Sequence, residues 1–414
     1  MTPRDRSVRE SDEGSDAQSL ASLEEGADPG EENEDDLLNS SVGGSAVVTD
    51  SDWTTETLLN QLRRGNIDLN PSFQRRDAWN LQRKSRFVES LILDLPVPQI
   101  VLAERREQRG TYLVIDGKQR LLTLAQYAGY GDSRNTGFRL RGLVVRQDLN
   151  RVHFEELAAN PAYVEELSQF ENSTIRTVII RNWPNEEFLY LVFLRLNTGS
   201  VALSPQELRQ ALHPGPFVSF IDEFSFSSEQ LRAALGLSQP DFRMRDAELA
   251  TRFFGFQYFL SDYAGDLRRF LDSTCLKLND RWKEDEVEIR NTASSLEASI
   301  GTTRAIFGTH AFRRFVGADR YERPFNRAVF DVMTFHFADP EVARSAEERG
   351  EAVKAAFEDL STRNTRFSDA TAATTKSLDS TFTRLKAWTD TLAGIIDTDL
   401  GDVRLENNRI RVVK

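Results

Sequence analysis

The stretch from Thr111 to Gly129, TYLVIDGKQRLLTLAQYAG, runs from an apolar strand through a polar block into an amphipathic helix. A helix that begins near Gln119 points its unpaired backbone N–H groups and its positive dipole end back at this joint. Gly117 allows close approach to the backbone, and Lys118 and Arg120 add positive charge. The pattern predicts an anion site, with phosphate as the expected ligand.

Length and charge limit the class of protein. The 414 residues leave room for two or three domains, and 39% hydrophobic residues suffice for packed cores. The formal charge is −13, but residues 1–50 hold fourteen Asp and Glu against three Arg. Residues 51–151 hold seventeen Lys and Arg against eleven Asp and Glu. The overall acidity therefore does not indicate the kind of partner.

The single cysteine, Cys275, excludes an intrachain disulfide and a cysteine-rich zinc site. No apolar run approaches the roughly twenty residues that span a bilayer, and the first residues are acidic, unlike a signal peptide. We therefore expect a cytoplasmic protein with no membrane partner. A P-loop is also excluded, because Tyr112 occupies the position of its first glycine and no Ser or Thr follows Lys118.

Composition and periodicity divide the chain into three regions. Residues 1–47 are rich in Glu, Asp, Ser and Gly and hold no aromatic residue, which predicts a disordered acidic tail. This tail either aids solubility or mimics nucleic acid and competes for the basic residues that follow. Residues 48–203 mix strand and helix patterns, and residues 204–414 are mostly helical. The predicted fold class is α+β, with a mixed α/β domain before an all-helical domain.

Apolar periodicity and breaker residues predict the individual elements. The predicted strands are 67–69, 100–102, 112–115, 140–145 and 174–180, and the predicted helices of the first domain are 54–63, 81–93, 120–127 and 185–194. Ser204 and Glu207 form a predicted capping box. The predicted helices after it are 205–212, 216–223, 228–235, 245–261, 264–277, 283–307, 324–337, 341–360 and 376–396.

Four blocks of the sequence resemble one known family. They are LNPSFQRRDAW (69–79), VIDGKQRLLTL (114–124), LRLNTGSVALSPQEL (194–208) and RMRDAELATRFFGF (243–256). The first two are similar to the paired signatures of the N-terminal domain of GmrSD-type, modification-dependent restriction enzymes, whose hallmark is DGQQR. The resemblance spans about residues 50 to 280. It implies a ParB/sulfiredoxin-like fold, nucleotide binding and hydrolysis, and restriction of foreign, modified DNA.

The resemblance also implies site residues. Asp116, Gly117, Gln119 and Arg120 fall on the hallmark, where Lys118 replaces the first glutamine. The implied nucleotide- or phosphate-binding residues are Gln74, Arg75, Gly117, Lys118, Arg120, Asn197 and Thr198. From their side-chain chemistry we expect Asp116 and Gln119 to be the catalytic residues, with Asp116 as the ligand of a Mg²⁺ cofactor.

Side-chain chemistry suggests a role for each hallmark residue. The planar fork of Arg120 suits phosphate oxygens, and Lys118 supplies a mobile charge. Asp116 would hold Mg²⁺ through water or orient an attacking water, and Gln119 would orient water or read a base. The alternative is that Arg120 pairs with Asp116 and that the first block is an ordinary solvated turn.

The histidines indicate whether this chain could cleave DNA by itself. The four histidines, His153, His213, His310 and His336, form no DHxxP, HxxxH or HEH arrangement, so we expect DNA cleavage to need a separate nuclease chain. His336, in an apolar helix, is expected to be a core residue.

Basic residues between 63 and 146 predict either a DNA surface or local ion pairs. They are Arg63, Arg64, Arg75, Arg76, Arg83, Lys84, Arg86, Arg105, Arg106, Arg139, Arg141 and Arg146.

The preferred hypothesis is a protein that binds a nucleoside triphosphate, hydrolyses it with Mg²⁺ and acts as the sensor of a defence system without its own HNH nuclease domain. The alternative is a non-enzymatic DNA-binding or adaptor protein that uses the ParB-like fold as a platform. DNA affinity that falls steeply with salt, without phosphate release, would indicate the alternative.

Overall fold

A computed structural model of the chain describes residues 46–67, 69, 78–130, 137–196, 204–372 and 376–413. Residues 1–45 of the predicted acidic tail lie outside the described residues. The candidate site residues Gln74, Arg75, Asn197 and Thr198 also lie outside them. The described part has the predicted α+β architecture, with a sheet and its helices first and a larger helical region after them.

The first sheet consists of β1 (Val47–Thr54), β2 (Ile100–Glu104), β3 (Tyr112–Asp116) and β4 (Thr174–Arg181). The helices around it are α1 (Thr55–Arg63), α2 (Leu81–Ile92), α3 (Lys118–Tyr127), α4 (Phe154–Ala159), α5 (Val164–Asn172), α6 (Glu186–Leu196) and α7 (Pro205–Leu212). Short 3₁₀ turns cover Gln147–Leu149 and Pro161–Tyr163.

The strand order is β1-β4-β2-β3, and β4 pairs with β2 in parallel while the two outer pairs are antiparallel. The register shifts between Val101 and Leu102, so that Val101 lies opposite Asp116 and Leu102 opposite Val114. A β-bulge of this kind bends a strand and redirects its side chains. The bulge therefore lies beside the last residue of β3, where the candidate site begins.

Alternation along the strands sends apolar side chains to both faces of the sheet. Leu102 and Val114 pack with residues of α1, α2, α3 and α5. Val101 and Leu113 face the opposite way and pack with residues of α6 and α7. The sheet is thus covered on both faces by helices, which places the joint between β3 and α3 inside a layered domain rather than at an open edge.

The helical region begins with α8 (Pro216–Ser227) and is built around one long helix, α11 (Leu267–Phe307). The other helices are α9 (Glu229–Leu235), α10 (Arg245–Phe259), α12 (Arg327–Phe337), α13 (Pro340–Glu348), α14 (Gly350–Arg363), α15 (Thr365–Ala372) and α16 (Leu378–Ala393), with 3₁₀ turns at Leu260–Asp262 and Gly308–His310. A separate apolar core runs through this region, from Phe217 to the hairpin formed by β5 (Asp402–Glu406) and β6 (Arg409–Val413). Within the described ranges, no helix combines the length and apolar character needed to cross a membrane.

The strand predicted at 140–145 is wrong. Leu140 exchanges backbone hydrogen bonds with Arg151 and Val152, but the residues after it turn away from any sheet. The buried carboxylate of Glu89 accepts the backbone N–H groups of the turn at residues 144–146. These N–H groups are satisfied by one side chain instead of a neighbouring strand, so the apolar run does not form a ladder.

Candidate functional site

The DGKQR joint, defined as Asp116 to Arg120, connects the end of β3 to the start of α3. Asp116 is the last residue of the strand, and Gly117 stands before the helix in the left-handed region at φ 94°. A Cβ atom on Gly117 would lie 2.9 Å from Ile100 Cγ1. Glycine is therefore required both by the backbone angle and by the close packing against β2. The N–H groups of the first turn of α3 have no intrahelical acceptors and converge at this point.

We expect Gly117→Ala to lower the free energy of unfolding by about 2–5 kcal/mol, because a left-handed alanine costs about 1–2 kcal/mol and overpacking adds about 1–3. Gly110 is the matched control: its φ is 79°, but nothing lies within 4 Å of the point that a Cβ atom would occupy there. Urea unfolding of both variants measures the difference. Equal losses would show that packing on Ile100 contributes nothing.

Arg120 pairs with Asp116, which is what the alternative interpretation of the sequence predicted. Its Nη2 donates to Asp116 Oδ2 at 2.9 Å and to the carbonyl oxygen of Gln99 at 2.8 Å. The arginine is 5% exposed, and burial lowers the pKa of its guanidinium although Asp116 opposes that change. The side chain of Asp116 remains 19% exposed. The joint therefore holds a preformed charge pair whose carboxylate reaches the surface.

Lys118 forms a buried ion pair with Glu207 of α7. Its Nζ donates to Glu207 Oε1, while Glu207 Oε2 accepts the backbone N–H of Ser204 in the capping box. Both side chains are almost inaccessible, at 6% and 4% exposure. The lysine thus ties the start of α3 to the start of α7, and its charge is compensated within the protein.

Gln119 is buried beside these two pairs. Its backbone carbonyl accepts a hydrogen bond from Thr123 Oγ1 at 2.7 Å. The side-chain Oε1 is buried and has no hydrogen-bond partner among the described residues. A buried acceptor without a donor costs free energy, so this amide is suited to receive a donor from water or a ligand.

The predicted basic surface is largely engaged within the domain. Arg86 donates to the carbonyl of Gly142, and Arg146 pairs with Asp148 and Glu166. Arg106 lies 4.1 Å from the ring centroid of Trp183 and also donates to the carbonyl of that residue. The carboxylates compensate the charge of Arg146, whereas Arg86 and Arg106 keep their charge and are only held in place by their contacts.

A second group of ionisable side chains, the histidine–carboxylate cluster, consists of Glu186, His213 and Asp272. Glu186 begins α6, His213 follows the last residue of α7, and Asp272 lies in the first turns of α11. His213 Nε2 is 3.5 Å from Glu186 Oε2 and 3.8 Å from Asp272 Oδ1. The cluster therefore joins the helices on the sheet to the helical region.

Two neighbouring side chains hold Asp272 in place. Arg209 Nε donates to Asp272 Oδ1 at 2.7 Å, and the Tyr190 hydroxyl donates to the same oxygen at 3.2 Å. The Arg209 side chain is fully buried, and its Nη1 donates to Gln206 Oε1 at 2.6 Å. This network orients the carboxylate toward His213.

Burial and nearby negative charge change the protonation of the cluster. Burial, with Asp272 and Glu187 nearby, raises the pKa of Glu186 from 4.5 to about 7. Burial lowers the pKa of His213, against the opposing effect of Asp272. Near neutral pH the native protein therefore holds a partly protonated carboxyl beside a neutral imidazole.

The raised pKa of Glu186 predicts a loss of stability as the pH rises. The native state retains a proton that the unfolded state releases near pH 4.5, so the stabilisation is complete below that pH and is lost through about pH 7. We expect the free energy of unfolding of the wild type, measured relative to that of Glu186→Gln, to decrease as the pH rises from 4.5 to about 7. Urea titrations from pH 4 to 8 measure the difference, and parallel profiles would contradict this assignment.

The cluster was not visible in the sequence because its members are 27 and 59 residues apart and match no ligand spacing.

The expectation that His336 is a core residue is confirmed. His336 lies in α12 and is 6% exposed, and both ring nitrogens have partners. These are Val332 O at 2.8 Å and Thr389 Oγ1 at 2.7 Å. Burial lowers its pKa to about 4, which is typical of a neutral core histidine.

Residues 55–214 match the family model of the GmrSD restriction endonuclease, N-terminal domain. The match includes the DGKQR joint, the sheet strands β2, β3 and β4, and two members of the histidine–carboxylate cluster, Glu186 and His213. A search of curated proteins found no match to the sequence.

Proposed function

Because residues 55–214 form a GmrSD-type N-terminal domain, we propose that this chain is the sensor subunit of a cytoplasmic system that restricts foreign or modified DNA. It binds a nucleoside triphosphate and hydrolyses it with Mg²⁺. The observation that carries this proposal is the DGKQR joint, where a helix N-terminus, a carboxylate and a guanidinium meet within one turn. Such a combination suits a phosphate chain and its metal ion.

Each residue of the joint has a proposed task. The N–H groups at the start of α3 and the fork of Arg120 bind phosphate oxygens. Asp116, paired with Arg120 yet partly exposed, holds Mg²⁺ or the attacking water, and Gln119 orients that water. Lys118 is proposed to bind phosphate by exchanging its ion pair with Glu207 for the phosphate oxygens. Gln74, Arg75, Asn197 and Thr198 are proposed as further phosphate-binding residues.

The first test measures phosphate release from ATP, GTP, CTP and UTP with Mg²⁺, together with binding by calorimetry. We expect Arg120→Ala to weaken nucleotide affinity by about 1.5–3 kcal/mol, the usual worth of a charged hydrogen bond. Arg176→Ala is the control, because Arg176 is 57% exposed and pairs only with Asp50 at the outer strand in the described contacts. Thermal unfolding confirms that both variants are folded.

Asp116→Asn separates binding from chemistry. The neutral amide keeps the shape and one acceptor for Arg120 but loses the charge that attracts Mg²⁺, so turnover should fall more than affinity. Hydrolysis at the wild-type rate would refute the role of Asp116. If the wild type binds none of the four nucleotides at millimolar concentration, the nucleotide proposal fails as a whole.

A non-enzymatic adaptor is the second candidate, and one observation favours it. Lys118 and Arg120 are each paired with a carboxylate of the same chain, as in an ordinary buried ion-pair network. An adaptor would bind DNA through basic residues between 63 and 146 and recruit a partner nuclease chain. DNA affinity with a steep salt dependence and no phosphate release would support it.

A further inference from the structure

We infer that Glu186, His213 and Asp272 bind a divalent transition metal of the Zn²⁺ class. Each of the three side chains offers one ligand atom, and these atoms lie within 4.8 Å of one another. They come from α6, from the residue that follows α7 and from α11, so the proposed ion sits where the helices on the sheet meet the helical region. The inference is independent of nucleotide binding at the DGKQR joint.

Two of the three distances between the ligand atoms are close to those of a metal centre. Ligand atoms at about 2.0–2.1 Å from a tetrahedral ion are about 3.4 Å apart. His213 Nε2 lies 3.5 Å from Glu186 Oε2 and 3.8 Å from Asp272 Oδ1. The Glu186 and Asp272 oxygens lie within 4.8 Å of each other, so they would have to approach by up to about 1.4 Å to complete three protein ligands and leave a fourth position for water.

The imidazole supplies a second, independent observation. His213 is 5% exposed, and its Nε2 is buried without a hydrogen-bond partner among the described residues, although it faces both carboxylates. An orphaned ring nitrogen in the interior is costly, and a neutral imidazole is a preferred metal ligand. Burial lowers the pKa of this histidine, which keeps the nitrogen lone pair available.

The surroundings support the carboxylate ligands. Arg209 and Tyr190 both donate to Asp272 Oδ1 and fix the carboxylate, so the ion would share that oxygen with them or bind Oδ2. Glu186 is 41% exposed on its side chain, which leaves an entry path for the ion. Its raised pKa reflects burial and the repulsion of Asp272 and Glu187, which a bound cation would relieve.

The ligand set selects the class of metal. One imidazole nitrogen with two carboxylate oxygens suits Zn²⁺ and similar divalent ions, whereas Mg²⁺ prefers oxygen ligands and retains several waters. The site therefore differs from the Mg²⁺ position proposed at Asp116. An ion held by α6, α7 and α11 would cross-link the helices on the sheet to the core of the helical region.

The test uses the full-length chain after treatment with a chelator. Calorimetric titration with Zn²⁺ should give one tight site, and titration with Co²⁺ should give the visible absorption of a low-symmetry centre. His213→Ala should weaken Zn²⁺ binding by at least about 100-fold, because loss even of outer-shell partners costs 10–100-fold. Glu186→Gln should also weaken Zn²⁺ binding. Because the Glu186 side chain is partly exposed, this variant should fold.

His310→Ala is the control. That histidine stacks on Tyr321 at 4.4 Å in the helical region, and its removal leaves the cluster and all acidic residues intact. Zinc should raise the melting temperature of the wild type and His310→Ala but not of His213→Ala. Wild-type binding no tighter than that of His213→Ala and Glu186→Gln would overturn the proposal and leave a network of hydrogen bonds and ion pairs only.

Discussion

Asp331→Ala should lower the free energy of unfolding by about 3–5 kcal/mol, because it removes the carboxylate shared by two buried arginines. Asp331 Oδ1 accepts from Arg252 Nε at 3.0 Å, and Oδ2 accepts from Arg384 Nη2 at 3.2 Å. The three residues lie on α12, α10 and α16 and are at most 4% exposed. Without Asp331, two guanidinium groups would remain in the core without this counter-charge.

The size of this expected loss of stability depends on the burial of the charges and not merely on the existence of an ion pair. Asp359 and Arg363 also form a short pair, at 2.7 Å, but their side chains are 55% and 81% exposed. We expect Asp359→Ala to cost less than about 1 kcal/mol, since solvent screens exposed pairs. Denaturant unfolding monitored by circular dichroism compares the two variants. A cost for Asp331→Ala below that of Asp359→Ala would contradict the assignment of the buried network.

Glu207→Gln should also destabilise the protein strongly, by about 3–5 kcal/mol, because it leaves the Lys118 ammonium buried without its counter-charge. Glutamine preserves the size of the side chain and an oxygen that accepts the Ser204 N–H of the capping box. The expected loss therefore measures the ion pair between α3 and α7 and not the helix cap.

Ser204→Ala is the matched control, since it removes the cap while the ion pair remains. An N-cap substitution typically costs about 1 kcal/mol. Hydrogen exchange at the amide of Leu121, which donates to the carbonyl of Gly117, should increase in Glu207→Gln and not in Ser204→Ala, because only the former releases Lys118. If the two variants lose equal stability, the buried ion pair contributes no more than the cap.

Elements with a strong local pattern were predictable. The strand and helix around the DGKQR joint correspond to β3 and α3, and the capping box of Ser204 and Glu207 is present with both hydrogen bonds. These features depend on alternation, helical periodicity or residues three positions apart, which a single sequence displays directly. The ParB/sulfiredoxin-like detail and the boundary between residues 203 and 204 stay predictions.

Elements without such a pattern were missed or misdivided. The edge strand β1 carries mostly exposed residues and owes its structure to backbone pairing with β4. Helices predicted at 264–277 and 283–307 are one helix, α11, whose middle is polar and exposed. The helix predicted at 341–360 is divided at Arg349 between α13 and α14. For β1 and the middle of α11 the apolar periodicity is weak, so backbone pairing or tertiary contacts decide, whereas α13 is strongly amphipathic and only the break at Arg349 was missed.

The sequence by itself determined the order strand, glycine, helix at Asp116 to Arg120, because these residue types impose their backbone angles and polarity locally. Only the tertiary structure decided what their charges do. Lys118 meets a carboxylate 89 positions away, and His213 meets Asp272 across 59 positions. Pair energies depend on distance and on exclusion of water, and both are set by packing of distant segments rather than by spacing along the chain.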